Sequence, residues 1–422
     1  MSGPLIVGAG PAGCAAAIVL ARAGAAPLLI DRDPAVRDPL CGGFLSWRTV
    51  ESLRALGIDP AALGAHRVER VALFAGDRHA QAALPAPAFG LSRHALDTAL
   101  RAAALAHGAR LEIDTVRSIE GKRAIGRTGQ REGDGLFLAT GKHDLHALSR
   151  PRRARDPALG LRLRLPPSPL RARLLAKRIE LHLFAGGYAG IVLQEDGSAN
   201  VCLAIRKSRL TSCGGDVAAL LGALAAQHPH LAQRLGDDWP GTPRDSIGAV
   251  PYGWIARDTV PGLFRLGDQA AVIPSLAGEG ISIALASAQA AAAAWLLGGA
   301  AAAPGFQRRF AARAAAPVLL ARGVRATAEH PFSARLAIGV AAGIPATIRA
   351  LAAATRIAVP PHAGLRRNRV PLRRRAPLSK DAGIPRSSNE QELTPHGEDQ
   401  GREPGRGNRR RRDDADHLAV DS

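Results

Sequence analysis

The chain has 422 residues, 46% of them hydrophobic and only 4% aromatic, and carries a formal net charge of +20. That length suggests two or three domains, or one large α/β domain with an inserted sheet, and a core resting on Leu, Val, Ile and close-packed small residues. The charge gathers in two C-terminal blocks, Arg366–Arg375 and Arg409–Arg412. The surrounding stretch is rich in Pro, Gly, Ser and Asn, and buries too little apolar surface to offset its ordering entropy. A disordered basic tail over 361–422 is therefore expected, with no specific nucleic-acid partner.

In chain order, Pro4–Val7 reads as a short buried strand, followed by a glycine turn and an Ala-rich helix to about Ala23. Pro27–Ile30 is a second buried strand ending at Asp31, so the unit is βαβ and parallel. The spacing predicts a helix from Ser46, a natural N-cap, to Leu56 before Gly57. A second helix is expected from Ser92 to His107, stopped by Gly108. Leu111–Val116 and Leu136–Ala139 read as strands. From about Leu159 to Ile205 the pattern switches to period two, with antiparallel strands at Ile179–Phe184, Gly190–Gln194 and Ala199–Ile205 and a turn at Glu195-Asp196-Gly197. Val217–Gln227 is helical, Leu263–Leu266 a returning strand, Gly280–Leu297 a long helix, and helices continue to about Ile357. The expected organisation is a Rossmann-like α/β nucleotide-binding domain over 1–150 that resumes at 256–300. An inserted, mostly antiparallel substrate sheet occupies 151–255, with strands contributed from about 66–90. C-terminal helices fill 301–360.

The four cysteines, Cys14, Cys41, Cys202 and Cys213, have neither CxxC nor Cys/His ligand spacing. No metal or disulfide framework is expected, and a reducing cytoplasm is the simplest compartment. The apolar start lacks the basic region of a signal peptide. The Ala-rich run Gln289–Ala303 is broken by Gly298 and Gly299, so it does not read as a membrane span.

Gly8-Ala9-Gly10-Pro11-Ala12-Gly13 sits between strand and helix. Gly8 permits the tight turn, Gly10 lets the backbone approach a pyrophosphate, and Gly13 lets the helix pack close to the strand. The helix N-terminus offers free N–H groups and a partial positive charge. Asp31 ends the next strand, where a carboxylate accepts hydrogen bonds from ribose. Two later segments favour FAD over NAD. Leu91-Ser92-Arg93 opens one helix, and Leu266-Gly267-Asp268-Gln269-Ala270 follows a strand, where Asp268 suits a ribityl hydroxyl. The loop Pro274-Ser275-Leu276-Ala277-Gly278-Glu279-Gly280 then opens a helix whose N–H groups would face the pyrimidine edge of a flavin and offset the charge that reduction places there.

On these motifs the chain resembles the geranylgeranyl-reductase-like branch of FAD-dependent oxidoreductases, within the aromatic-hydroxylase-type flavin monooxygenases. The resemblance spans roughly 4–330. It rests on VGAGPAG at Val7, Asp31-Arg32, Cys41-Gly42-Gly43-Phe44-Leu45-Ser46, LSRHALD at Leu91 and GDQAAVIPSLAGEG at Gly267. It implies that Arg93 and Asp268 contact FAD, that the Cys41 loop with Gly42 borders the flavin, and that the middle sheet forms the substrate cavity. It extends the cofactor set to Gly8, Gly10, Pro11, Ala12, Gly13, Asp31, Arg32, Gly141, Gly267, Gly278, Glu279 and Gly280. The chain departs from the monooxygenases where their Asp-Gly motif would stand, since Ala139-Thr140-Gly141-Lys142-His143 is found there. Halogenase-type tryptophan motifs and a second GxGxxG are absent, so the expected reductant is a transient NAD(P)H or a protein donor.

For chemistry, Cys41 reads either as a redox or positioning residue or as an inert small hydrophobe. Tyr188, in Gly186-Gly187-Tyr188-Ala189-Gly190 between inserted strands, either hydrogen-bonds a substrate or packs. Tyr252 and Trp254 are expected to line the same cavity. Two reactions fit: hydride transfer to a carbon–carbon double bond of a hydrophobic, prenyl-like substrate, or oxygen-dependent hydroxylation of an electron-rich ring. A non-catalytic lipid or prenyl carrier on the same fold is the alternative. Leu336–Ile357, with Arg335, Arg349 and Arg356, reads either as a core helix pair or as a membrane-surface element. The sequence leaves the oligomeric state open.

Overall fold

The structure, a computed structural model describing residues 3–151 and 154–357, opens with the βαβ unit its sequence dictates. Strand β1 (Leu5–Val7) leads through the glycine turn into helix α1 (Pro11–Arg22), and β2 (Leu28–Asp31) follows. A loop then reaches β3 (Phe44–Leu45) and α2 (Trp47–Ala55). Ser46 caps α2, the Thr49 N–H donating to its hydroxyl. A long hairpin comes next, β4 (His66–Ala75) and β5 (Arg78–Gly90). Helix α3 (Arg93–Ala106), capped by Ser92 through the Ala95 N–H, leads to β6 (Arg110–Ile113). Three short strands, β7 (Ser118–Glu120), β8 (Arg123–Ile125) and β9 (Gln130–Glu132), precede β10 (Leu136–Leu138).

The middle of the chain forms β11 (Ala158–Leu165), α4 (Pro169–Leu174), β12 (Arg178–Phe184), β13 (Gly187–Leu193) and β14 (Ala199–Arg206). Helices α5 (Lys207–Thr211), α6 (Val217–Gln227) and α7 (Pro229–Leu235) then lead to β15 (Arg244–Val250). Strand β16 (Leu263–Arg265) precedes α8 (Gly280–Gly298), α9 (Ala303–Ala328), α10 (Pro331–Gly343) and α11 (Ala346–Ala354).

Five strands form a parallel sheet in the order β16-β10-β1-β2-β6. Strands β1 and β10 at its centre are wholly apolar and wholly buried, as strands covered on both faces must be. Helix α1 packs between this sheet and α8, and its Ala15, Ala16 and Ala17 are fully buried. Alanine-on-alanine contact lets these helices approach closely, which is how a chain so poor in aromatics fills its core.

The second sheet has eight strands in the order β15-β11-β14-β13-β12-β4-β5-β3, antiparallel except for the β12–β4 pair. One face of β11, β13 and β14 packs on α6 and α7 through Leu161, Leu163, Val201, Leu203, Leu220 and Leu224. Helices α10 and α11 cover part of β4, β5 and β12 through Ala334, Ile338, Ala341 and Ile348. Buried Glu180 is held by both Arg234 nitrogens, Nε and Nη2, at 2.8 and 3.0 Å; a buried carboxylate is tolerable only when paired this way.

Several expectations are corrected. The Gly186–Gly190 run does not lie between strands: only Gly186, at φ 75°, makes the turn, and Gly187 onward belongs to β13. Besides the strands contributed from 66–90, the second sheet takes in β3 and the edge strand β15, and a small sheet of β7, β8 and β9 stands beside the parallel one. The expected basic tail falls outside the described residues.

Candidate cofactor and substrate site

The glycine turn is built by steric necessity. Gly8 has φ 104°, and a Cβ there would sit 2.5 Å from the Ala139 carbonyl oxygen. A Cβ on Gly13 would lie 1.9 Å from the Gly8 carbonyl oxygen, so only glycine lets α1 rest against the turn. Gly10 differs: a Cβ there would meet nothing within 4 Å except Arg93 Nη2 at 3.7 Å. Its freedom is needed by something other than the protein. Helix α1 has no side-chain cap and starts with Pro11, so its first N–H groups are directed at the same space.

That space is a cavity of about 1540 Å³. Gly8, Gly10, Pro11, Ala12, Asp31, Arg32, Cys41, Gly42, Arg93, Gly141, Gly267, Asp268, Gly278, Gly280 and Tyr188 all line it. Residues more than 250 positions apart are thus brought to one wall. Asp31 is partly engaged already: its Oδ2 accepts from the Ala9 N–H at 2.6 Å and its Oδ1 from the Asp33 N–H at 2.9 Å. Arg32 is at the rim, largely exposed, paired with Asp33 and hydrogen-bonded to His143 at 2.9 Å. Arg93 is clamped by both oxygens of Asp97 at 2.8 and 2.7 Å. Burial works against its charge, and Asp97 more than restores it, so the guanidinium stays protonated beside the glycine turn.

The carboxylate of Asp268 accepts no protein hydrogen bond among the described residues. The turn that carries it is fixed instead by its backbone. Arg150, buried and paired with Asp144, donates from Nη1 to the Asp268 carbonyl at 2.9 Å. The Gln269 amide donates to the carbonyls of Gly141 and His143 at 3.0 and 3.1 Å. The α8 N-terminus is likewise uncapped, and a Cβ on Gly280 would meet nothing within 4 Å. Two free helix N-termini and two glycines facing open space suit a ligand with an anionic bridge at one end and an electron-accepting ring at the other.

Glu279 departs from expectation. Its side chain does not face the cavity; it is fully buried, accepting hydrogen bonds from Ser46 Oγ at 2.8 Å and from Arg356. Arg356 also donates to the Ala277 carbonyl at 2.8 Å and stacks over the Trp47 ring at 4.6 Å. Glu279 therefore ties the loop 274–280 to the end of the C-terminal helices.

The Cys41 loop is held from both sheets. Asn200 Nδ2 donates to the Cys41 carbonyl at 3.0 Å, and Lys142 Nζ to the Leu40 carbonyl at 2.7 Å. Asp38 accepts from the Arg93 N–H at 3.1 Å and pairs with Arg162 at 2.9 Å. Cys202 lines the cavity too, and burial pushes its thiol up to about 12. The Tyr188 and Tyr252 hydroxyls both bond Ser275 Oγ, the latter at 2.7 Å. Desolvation raises both phenols, Tyr252 to about 12. Sequence reasoning missed Asn200 and the Asp38–Arg162 pair, and gave no role to the side chains of Lys142 and Ser275. Each is an isolated polar residue in its own segment, and only the folded chain brings it to the cavity.

Such a turn, a parallel sheet around it and a curled second sheet define an FAD-binding oxidoreductase fold. Residues 3–123 match the family model for an FAD binding domain. Menaquinone reductase of Mycobacterium tuberculosis is 30% identical over 318 residues, 68% of this chain and 75% of that protein. Digeranylgeranylglycerophospholipid reductase 2 of Methanopyrus kandleri is 26% identical over 302 residues, 67% of this chain and 73% of that protein. The chain belongs to the FAD-dependent oxidoreductase superfamily of geranylgeranyl-reductase-like enzymes and flavin monooxygenases, which it shares with that menaquinone reductase. The fold recurs in a flavoprotein/dehydrogenase from Cytophaga hutchinsonii (TM-score 0.66, 17% identity, 81% of this chain and 93% of that one). It recurs also in Pseudomonas aeruginosa PqsL in complex with 2-aminobenzoylacetate (TM-score 0.65, 16% identity, 80% and 99%).

Proposed function

We propose that this enzyme uses FAD to reduce a carbon–carbon double bond in a long apolar, prenyl-like substrate. The observation that carries the reading is the continuity of the cavity. From the glycine turn it runs past Cys41 and Asp268 into a chamber walled by Leu73, Leu84, Leu181, Leu183, Leu203 and Ile338. Ligand pockets usually span ~300–1,000 Å³, and a cavity of about 1540 Å³ has room for cofactor and substrate together. Two relatives, a menaquinone reductase and a digeranylgeranylglycerophospholipid reductase, support an apolar substrate and a reductive reaction.

Bound FAD would supply the hydride. Gly10 and the α1 N-terminus would hold its pyrophosphate, Asp31 its ribose and Asp268 its ribityl chain. The Gly278–Gly280 N–H groups would face its ring, with Arg93 supplying positive charge beside the phosphates. A double bond that accepts a hydride at one carbon needs a proton at the other. Tyr188 and Tyr252, joined through Ser275, are the cavity hydroxyls placed to deliver it. Cys41 lines the cavity as a positioning residue; unchanged turnover and flavin spectrum in Cys41→Ala would remove it from that role. Among the described residues only one glycine-turn βαβ unit occurs, which supports a transient reductant, NAD(P)H or a protein donor. All four cysteines are free thiols, which supports a cytoplasmic setting.

The test is turnover of a polyprenyl substrate with chemically reduced enzyme under strict anaerobiosis. A saturated product without oxygen is the expected result. Product formed only when oxygen is admitted would replace this reading with hydroxylation.

A further inference from the structure

We infer that the outward face of α10 and α11 docks on an anionic lipid surface and admits the substrate from it. The inference rests on the proposed apolar substrate only for the purpose of the docking, not for the docking itself. Of the large apolar side chains exposed on the described protein, four fall on these two helices or the bend between them with high exposure: Phe332 75%, Leu336 57%, Val340 51% and Ile344 56%. Burying such a cluster in water-free surroundings is favourable, and a soluble face has no reason to keep it. The helices meet at a bend of 114°, so they present a broad wedge rather than a single cylinder. Neither can cross a bilayer alone, being 13 and 9 residues long, whereas an amphipathic element lying in the headgroup plane needs no such length.

Charge selects the partner. Between 301 and 357 the sole acidic residue is Glu329, and it is buried in ion pairs with Arg206 and Arg325. Arg335 and Arg349 are exposed on the helices themselves, and Arg322 is exposed toward the C-terminal end of α9. The acidic neighbour of the face is Asp77 in the β4–β5 turn, 4.0 Å from Arg335 and itself highly exposed. Apolar anchors flanked by arginines with almost no acid fit a bilayer rich in anionic headgroups.

Position completes the case. Leu336, Val340 and Leu351 are exposed on this face yet also line the central cavity. The mouth of the apolar chamber thus opens within the apolar wedge. A lipid-dissolved chain would pass from bilayer to chamber without exposing its CH₂ groups to water.

The experiment is flotation of the full, FAD-loaded chain with vesicles of phosphatidylcholine alone and of equal phosphatidylcholine and phosphatidylglycerol. Two variants use residues outside the cavity wall: Phe332→Ser with Ile344→Ser, and Arg335→Glu with Arg349→Glu. Co-flotation with the anionic vesicles only, lowered at least ~10-fold by each pair, is the expected result, with flavin content unchanged. Absence of flotation overturns the inference. Equal flotation of wild type and both variants overturns it as well, assigning binding to residues beyond 357. A wild type that is dimeric in solution, becomes monomeric in the apolar pair and ignores vesicles would show that a second copy covers this face. Because flotation needs no turnover, its failure is distinct from failure of the proposed reaction.

Discussion

Glycines of one motif carry different burdens, and substitution separates them. Gly13→Ala places a methyl 1.9 Å from a backbone oxygen, so α1 must move; a loss of ~1–3 kcal/mol and a lower unfolding temperature are expected, with or without FAD. Gly10→Ala keeps φ near −80° and meets open space, so the apoprotein should melt as wild type does while FAD affinity, followed by flavin fluorescence, falls at least ~10-fold. Tyr188 and Tyr252 are the only two tyrosines in the chain, so a phenolate titration reads this pair alone. Both phenols lie above their ordinary value, Tyr252 at about 12. The folded state therefore holds protons that the unfolded chain releases near pH 10, and stability declines as pH rises from ~10 through 12. An ultraviolet phenolate signal appearing near pH 10 in the folded protein would show that the two phenols are not desolvated.

Helices were the legible elements, because their ends are written in single residues. Ser46 and Ser92 cap α2 and α3 as their side chains predict, and Gly57 and Gly108 follow with φ of 84° and 97°. Strands β7, β8 and β9 were not legible: each has three residues and mostly partial burial, too short for a period to register. Strand β15, in Arg244–Val250, carries Arg, Asp and Ser on an edge and lacks an apolar stripe. The cofactor turn was readable because local chemistry fixes it. The walls facing it were not, since Asn200 and Lys142 reach the Cys41 loop from distant segments. Glu279 misled for the same reason: its motif places it at the flavin, but the partner that turns it inward, Arg356, lies 77 residues away. The loop before β3 offers a test at this scale. Asp38 joins the α3 N-terminus to Arg162 on β11. Asp38→Ala should cost ~1–3 kcal/mol in chemical denaturation and weaken FAD binding, without altering helix content by circular dichroism.

At the scale of the whole molecule the chain is interleaved rather than modular. The parallel sheet draws β1, β2, β6 and β10 from the first 138 residues and β16 from residue 263 onward, after the second sheet has been threaded between them. Neither sheet is complete until most of the chain is in place. The ion pair between Glu279 and Arg356 extends that dependence to the last described residues. It fastens the end of the C-terminal helices to the loop 274–280, which is proposed to lie against the flavin ring. Anything that orders the loop then also orders the helix end, and a ligand at 100 times its Kd adds ~2.7 kcal/mol to whatever it binds. Protease cutting within 330–357 should slow when FAD is supplied to the wild type, and Arg356→Ala should abolish that protection while leaving FAD bound. The C-terminus would then serve as a gauge of holoenzyme formation, readable on a gel without any substrate at hand.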